Sequence, residues 1–312
     1  MNEAITYIRE LLLSREGLLI TADAYAAAVI ETFPLHTTVA PTVATPPSYA
    51  DSSKAALEIL LAENPIEGVT LTREFASAEL PPSSIAYHRI KGFITSSSNY
   101  YFSTKQFEKE LLLAEDNPSI SCHLFHVCSG GGEAWYLDRL SETIQQLQKP
   151  ILTLFEKIGG SAAYYIGCQA DHVYAMTSND SIGCIGTMVD TYNWDGYFEK
   201  LGIKRVLARA HQSDLKNKKV EDLLAGNPEQ YITDVLDPLN AQFIACVRAN
   251  RSKLAKAPDD EPALRGETYM TDAAIEVGLI DGKRTFEEAV MEAKQLADEF
   301  NNKKKALNIF NS

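Results

Sequence analysis

The chain has 312 residues, of which 45% are hydrophobic, and a formal net charge of −13 from 29 basic and 42 acidic residues. This length can bury one substantial core with appendages. The negative charge argues against nucleic acid or an anionic membrane surface as a partner. The five cysteines are odd in number and lack the paired spacing of a metal site, so we expect reduced thiols and neither a metal nor a cofactor.

Residues 1–80 are predicted to form an N-terminal extension rather than part of the main core. Helical patterns near 2–13 and 22–32 are followed by a Pro/Thr/Ala-rich segment at 34–53, which is typical of a linker or extended arm. The segment Met1–Leu13 carries charges among its apolar positions. It is therefore expected to be an amphipathic helix, neither a signal peptide nor a membrane span, and the protein is expected to be cytoplasmic.

Residues 81–312 show the alternation of an α/β domain with C-terminal helices. The predicted strands are 85–95, 120–127 and 151–155, and the predicted helices are 104–114, 137–147, 228–252 and the stretch bracketed by Thr271 and Gly278. Thr285 and Glu288 have the spacing of a capping box at the start of a last helix. The polar and glycine-rich motifs follow the strands, at the edge where open α/β sheets place their sites.

The first candidate for chemistry is Ser161, which follows Gly159-Gly160 and opens a helix of small residues. A serine in the first turn of a helix lies beside free backbone N–H groups, which can polarise its hydroxyl and hold an anion, so it can serve as a nucleophile. The alternative is that Ser161 only caps the helix, a role that serine fills well.

The second candidate is the glycine loop Cys128–Gly132, which follows an apolar strand and precedes a helix. Consecutive glycines let main-chain N–H groups converge on a carboxylate, a phosphate or a developing oxyanion. No Gly-Lys-Ser/Thr follows the glycines and no GxGxxG occurs, which excludes a phosphate-binding loop by pattern. A structural tight turn is the remaining alternative.

The third candidate is the lysine cluster of Lys216, Lys218 and Lys219. A neutral lysine beside a serine could act as a general base. The polar, basic surroundings favour a solvated loop for each of these lysines when the cluster is considered alone.

Five motifs occur in an order that resembles signal peptide peptidase A and the related phage head proteases. The resemblance covers roughly residues 85–285, and the motifs that carry it are Ser129–Gly132, Ser161–Ile166 with Ala170–Ala175, Gly183–Gly186, Ser213–Asn217, and Arg265–Ala273 with Gly278–Asp281. It implies a crotonase-like (Clp-protease-like) α/β spiral of ββα units and a serine–lysine dyad. Ser161 would be the nucleophile, Lys216 the general base, and the N–H groups of Gly131 and Ala162 the oxyanion hole.

The chain departs from the family pattern at two positions. Gly130 stands where the family usually has a proline, so we expect a looser loop. Cys184 stands where the family usually has a serine suited to orienting the lysine. Because a thiol is a weaker hydrogen-bonding group, either Ser181 or a main-chain carbonyl takes over that role or the base is poorly held.

The resemblance implies a soluble serine endopeptidase that acts on unfolded, signal-peptide-like or phage scaffold-like polypeptides in the cytoplasm or in phage proheads. Family members form rings or domes, and in some of them the lysine reaches a neighbour's serine. We therefore expect a homo-oligomer, with phage capsid or scaffold proteins as further partners. The alternatives are a crotonase-type acyl-CoA enzyme and a catalytically inactive phage head assembly protein.

Overall fold

The computed structural model describes residues 18–20 and 80–310. The predicted N-terminal helices and the Pro/Thr/Ala-rich arm lie outside the described residues, and the boundary between residues 80 and 81 stays a prediction. Strand β1 (Leu18–Ile20) is the described part of the extension. None of the described helices is both long and apolar enough to cross a membrane.

The larger of two sheets is mostly parallel and supplies the core. Strands β2 (Ser84–Lys91), β5 (Ile120–Ser129) and β7 (Ile151–Gly160) run parallel side by side. The first half of β7 then pairs with β8 (His172–Ala175) and its second half with β9 (Ser181–Gly183). Two short strands complete the sheet, β10 (Thr268–Met270) antiparallel to β9 and β11 (Gly282–Lys283) parallel to β8.

The short strands of the smaller sheet lie between the long strands and the helices and so complete the ββα units. It has the order β1-β6-β3-β4, with β3 (Ile94–Thr95), β4 (Phe102–Ser103) and β6 (Gly131–Glu133). Strand β2 continues into β3, β4 and helix α1 (Thr104–Asp116), and β5 continues into β6 and helix α2 (Leu137–Gln146). The predicted α/β class with a parallel sheet and ββα units is confirmed.

Both faces of the larger sheet are covered, as its strand patterns require. Phe125 and Val127 of β5 face a core that includes helices α1, α2, α3 (Ala162–Gly167) and α7 (Asp237–Asn250). Cys122 and Leu124 point to the opposite face, where helix α9 (Phe286–Phe310) lies. This double coverage explains why β5 is apolar along most of its length.

The predicted helix boundaries are close to those observed. The helix expected at 228–252 consists of α6 (Glu229–Tyr231), a π-helical turn (Ile232–Leu236) and α7. Helix α8 (Thr271–Val277) ends at Gly278, whose φ of 95° is left-handed. The capping box is confirmed, because the Thr285 N–H donates to Glu288 Oε2 over 2.8 Å and the Glu288 N–H donates to Thr285 Oγ1 over 3.2 Å.

One long segment does not join the core. Residues 186–230 carry helices α4 (Asp195–Lys200) and α5 (Lys218–Leu224), and none of these residues is buried. Nine large apolar side chains of this outer segment are exposed: Tyr192, Trp194, Tyr197, Phe198, Leu201, Ile203, Val206, Leu207 and Leu215.

Candidate active site

Ser161 lies between the end of β7 and the start of α3 in a strained conformation. Its φ of 55° and ψ of −122° fall where a non-glycine residue is held at a cost of about 1–3 kcal/mol. The backbone is fixed on both sides, because the Ser161 N–H donates to Gly183 O and its carbonyl accepts from the Tyr165 N–H, each over 2.9 Å. Ser161 stands at the N-cap position of α3, but its side chain makes no capping hydrogen bond, so its hydroxyl does not serve as a helix cap.

The hydroxyl of Ser161 is buried and unsatisfied. The residue is 1% exposed, and its Oγ has no hydrogen-bond partner among residues 18–20 and 80–310. A buried hydroxyl without a partner costs about 1–3 kcal/mol. Strain and an unpaired hydroxyl therefore coincide at the residue that the sequence predicts to be the nucleophile.

The two predicted oxyanion donors differ in their present contacts. Ala162 is the first residue of α3, so its N–H has no partner within the helix. Gly131 lies in β6, against which α3 packs. Its N–H donates to Ser129 Oγ over 3.1 Å, and Ser129 Oγ donates to Gly92 O over 2.6 Å. Sequence reasoning missed this contact of Ser129, although a serine directly before a glycine run is a signal for it.

The close contact between strand β6 and Ile94 leaves no space for a residue larger than glycine at Gly132. A Cβ atom at Gly132 would lie 2.0 Å from the Ile94 carbonyl oxygen, so only glycine fits at this position. The buried carboxylate of Glu133 accepts hydrogen bonds from the N–H of Ser96 over 2.6 Å and from its hydroxyl over 3.1 Å. The glycine loop is thus a short strand with fixed neighbours, and sequence reasoning missed the contribution of Glu133.

The two candidates for orienting the lysine differ in position, because Ser181 begins β9 and Cys184 directly follows its last residue. Gly160 pairs with Gly183, and Ser161 and Cys184 are the next residues of the two parallel segments. Cys184 also has a positive φ of 55°, and burial raises the pKa of its thiol. Ser181 pairs with Ile158, so Cys184 is the nearer of the two in register. Their roles stay predictions.

Lys216 lies in an exposed turn and is not joined to Ser161 within one chain. Its N–H donates to Ser213 O over 3.1 Å, and its carbonyl accepts from Arg209 Nε over 2.7 Å. Lys218 pairs with Asp222, and Lys219 Nζ lies 2.8 Å from a carboxylate oxygen of Asp234. The Lys216 ammonium has no such ion pair among the described residues. The desolvation expected of a base is absent here, because the outer segment is not packed against the core.

A buried polar network fixes the helix that follows the serine. The Tyr164 hydroxyl donates to Leu279 O over 2.8 Å, and burial raises the pKa of Tyr164 well above its ordinary value. Two residues after Leu279, the Asp281 carboxylate accepts from the Val173 N–H over 2.8 Å and pairs with Arg251. The Gly278–Asp281 motif therefore positions α3, a role that sequence reasoning had not assigned.

The site offers backbone donors rather than metal ligands. Within the part of the chain that the structure describes, no group of three or more His, Cys, Asp or Glu side chains could hold a metal ion. The groups that could stabilise negative charge are the N–H of Ala162 and, once Ser129 releases it, that of Gly131.

Comparison with known protein families identifies the chain. The model of Peptidase family S49 matches residues 143–299, about half of the chain. The chain belongs to peptidase family S49. Its match includes Ser161, Cys184 and Lys216, whereas the glycine loop lies before residue 143. The resemblance to the signal peptide peptidase A family is thereby confirmed.

Curated relatives of this S49 chain carry protease names. Protease 4 of Haemophilus influenzae is 25% identical over 223 residues, which cover 70% of this chain and 35% of that protein. A candidate protease of Methanocaldococcus jannaschii is 26% identical over 198 residues, or 59% of this chain and 58% of the relative. A candidate signal peptide peptidase SppA of Enterococcus faecium is 23% identical, with 60% and 55% covered. The S49 chain thus spans less than two thirds of each of these relatives.

Solved structures similar to the S49 chain include the 1510-N membrane-bound stomatin-specific protease. Its serine-to-alanine mutant matches with a TM-score of 0.43 and 15% identity over 69% of this chain and 86% of that one. Its lysine-to-alanine mutant in complex with a substrate peptide matches with a TM-score of 0.40 and 14% identity over 67% of this chain and 78% of that one.

Proposed function

We propose that this S49 chain is a serine endopeptidase with Ser161 as its nucleophile. The observation that carries the proposal is the state of Ser161: it is strained and buried, its Oγ has no hydrogen-bond partner among residues 18–20 and 80–310, and the Ala162 N–H that follows it has no partner within α3. Folding alone gives no reason to retain such a residue. Glycine would relieve the backbone strain, and either glycine or alanine would remove the unpaired hydroxyl. A nucleophile that must present its oxygen to a substrate supplies that reason.

In the proposed reaction Ser161 Oγ attacks a substrate carbonyl carbon while its proton passes to the neutral amine of Lys216. The oxyanion is held by the N–H groups of Ala162 and Gly131, the latter exchanging Ser129 Oγ for the substrate oxygen. Each such donor contributes on the order of 100- to 1000-fold in rate. The leaving amine takes the proton from Lys216, and a water molecule activated by the same amine then hydrolyses the acyl-enzyme.

We infer that the lysine comes from a second copy of the chain. An unperturbed lysine has a pKa of about 10.4, so presenting it neutral at pH 7 costs roughly 4–5 kcal/mol unless burial lowers that pKa. Lys216 is exposed in one chain, and no carboxylate of that chain pairs with it among the described contacts. Burial between two copies would desolvate it beside a neighbour's Ser161.

The exposed apolar side chains of the outer segment support this assembly. Exposed apolar patches normally mark an interface, and this stretch of 45 residues has no buried member and nine exposed large apolar side chains. Lys216 lies within that stretch, next to Leu215, which is 74% exposed. Packing of this surface against another copy would bury the apolar residues and the lysine together, and repetition of the contact would give a ring or dome.

The substrates we propose are extended polypeptides. A site made of main-chain donors at strand ends recognises backbone rather than particular side chains. Signal-peptide-like sequences are included because a relative with 23% identity is named a signal peptide peptidase. Phage scaffold-like proteins, and a location in the cytoplasm or in proheads, follow from the family resemblance alone.

The proposal is tested by mixing two inactive variants. Ser161→Ala and Lys216→Ala are each expected to lose cleavage of a denatured protein mixture, followed by mass spectrometry of the products. If the lysine acts on a neighbour's serine, a subunit-exchanged equimolar mixture should recover about one quarter of wild-type activity, the fraction of neighbour pairs with both groups intact in a ring.

The matched control is Lys218→Ala, which removes a lysine that is already paired with Asp222 and should retain activity. Equal loss in Lys216→Ala and Lys218→Ala would refute the choice of base. If both single variants are inactive and their mixture recovers no activity, the lysine acts on the serine of its own subunit. Cleavage that persists in Ser161→Ala would refute the nucleophile, and no cleavage by the wild type would favour the inactive assembly protein.

A further inference from the structure

Strand β1 lies on the edge of the candidate active site. It pairs antiparallel with β6, with Leu18 opposite Glu133, Leu19 opposite Gly132 and Ile20 opposite Gly131. Among the described residues, the order β1-β6-β3-β4 makes β1 an edge strand whose sole strand neighbour is β6. It can therefore leave without breaking any other pairing in the sheet.

The direction of β1 is that of a peptide that enters the site with its carboxyl side toward the serine. From Leu18 to Ile20 the strand runs along β6 from Glu133 back to Gly131. Gly131 carries one of the two proposed oxyanion donors, and α3, which begins directly after Ser161, packs against β6. Ile20 is thus the residue of β1 that lies opposite the oxyanion donor.

The edge of β6 is suited to holding a peptide by its backbone. Main-chain hydrogen bonds supply most of the binding when an extended peptide adds a strand to a sheet edge. Two of the three β6 residues are glycines, so no side chain of theirs obstructs the incoming strand. The opposite side of β6 is already fixed through Ile94 and Ser96, which makes it a rigid template.

We propose that Leu18–Ile20 is bound as the enzyme's own substrate strand and that the chain cleaves itself on the carboxyl side of Ile20. This inference rests on the proposed peptidase function. Ser161 Oγ adds to the Ile20 carbonyl carbon, the C–N bond to residue 21 breaks, and the new amine leaves with the proton that Lys216 took from the serine. One water molecule then hydrolyses the ester, which leaves a carboxylate on Ile20 and restores the Ser161 hydroxyl.

The test follows the full-length chain after purification by intact mass and N-terminal sequencing. The wild type should lose its first 20 residues and acquire a new N-terminus at Thr21, whereas Ser161→Ala should stay intact. Ile20→Asp should slow the cut by about tenfold or more, because it brings a charge to the position opposite the oxyanion donor. The matched control, Leu113→Asp, makes a similar change at an exposed site on α1 and should leave the cut unchanged.

A synthetic peptide of residues 14–27 provides a second measurement. Enzyme that begins at Thr21 should cut this peptide after Ile20, in a reaction that Ser161→Ala abolishes. A wild-type chain that stays whole while it cleaves other polypeptides overturns the inference and leaves the proposed function standing. The same holds if the cut falls elsewhere, or if removal of residues 1–20 raises activity although the whole chain never cleaves itself. Absence of any Ser161-dependent cleavage refutes both.

Discussion

Ser161→Ala should make the protein more stable while it removes activity. The variant deletes a buried hydroxyl that has no partner within the part of the chain that the structure describes, and leaving such a group unsatisfied costs about 1–3 kcal/mol. We expect a gain of about 1–2 kcal/mol in the free energy of unfolding, since the small void left behind offsets part of the benefit. Such a gain corresponds to roughly 2–8 °C in Tm for a domain of this size.

Ser161→Gly separates the cost of the unpaired hydroxyl from the cost of the strained backbone at this position. Glycine removes the hydroxyl and also the penalty of a φ of 55°, which is about 1–3 kcal/mol. It adds about 0.5–1 kcal/mol of backbone entropy cost. The glycine variant should therefore be at least as stable as the alanine variant, although it too is inactive.

The assay is urea denaturation at equilibrium in a Lys216→Ala background, which prevents a neighbour's amine from pairing with the serine. The matched control is Ser141→Ala. Ser141 is also buried, at 5% exposure, but its hydroxyl donates to Gln169 Oε1 over 2.7 Å, so this variant should lose about 0.5–1.5 kcal/mol. Equal destabilisation by Ser161→Ala and Ser141→Ala would show that the Ser161 hydroxyl is satisfied and would refute the argument.

Three further predictions concern the loop, the outer segment and pH. Gly132→Ala should destabilise the chain by about 1–3 kcal/mol and reduce peptidase activity, because its Cβ would lie 2.0 Å from Ile94 O. Val206→Asp, at a side chain that is 92% exposed, should dissociate the proposed oligomer, as measured by light scattering, and remove activity. Burial, with a nearby histidine, lowers the pKa of His88, so its contribution to stability is present above about pH 6.5 and falls by about 1.4 kcal/mol per pH unit below it.

Each of the three has a control at an unconstrained site. Gly196→Ala meets nothing within 4 Å and should be neutral, and Leu113→Asp should leave the oligomer intact. The acid sensitivity should diminish in His88→Phe but not in His211→Gln, which changes an exposed histidine. A stable and active Gly132→Ala, a fully assembled Val206→Asp, or an acid response that His88→Phe leaves unchanged would contradict the respective prediction.

The local parts of the fold could be predicted because local rules determine them. The strand before Ser161, the helix after it, and the capping box of Thr285 and Glu288 follow from patterns within a few residues. The short strand β6 could not be foreseen, because it forms through pairing of Gly132 with Ile94, 38 positions earlier in the chain. Contacts of this kind depend on where two distant segments meet, which periodicity does not encode.

The site was predicted in part for the same reason. Ser161, Gly131 and Ala162 follow neighbouring strands, so a parallel sheet brings them to one edge. Lys216 belongs to a segment with no buried residue, so one chain gives it no environment that would mark it as a base. One chain's hydrophobic pattern does not specify a neighbour, so Lys216 could be proposed as the partner of the Ser161 hydroxyl only through the family resemblance.

The exposed end of helix α9 offers a fixed position from which distances between copies in the proposed assembly can be measured. Ala289, Ala293 and Ala297 hold its first half against the sheet, while residues 302–307 are exposed beyond it. The exposed end is continuous with the anchored part, so its position is tied to that of the core. In the proposed ring, a spin label at Leu307 of each copy would therefore report the spacing between neighbouring subunits, and the set of measured spacings would count the copies.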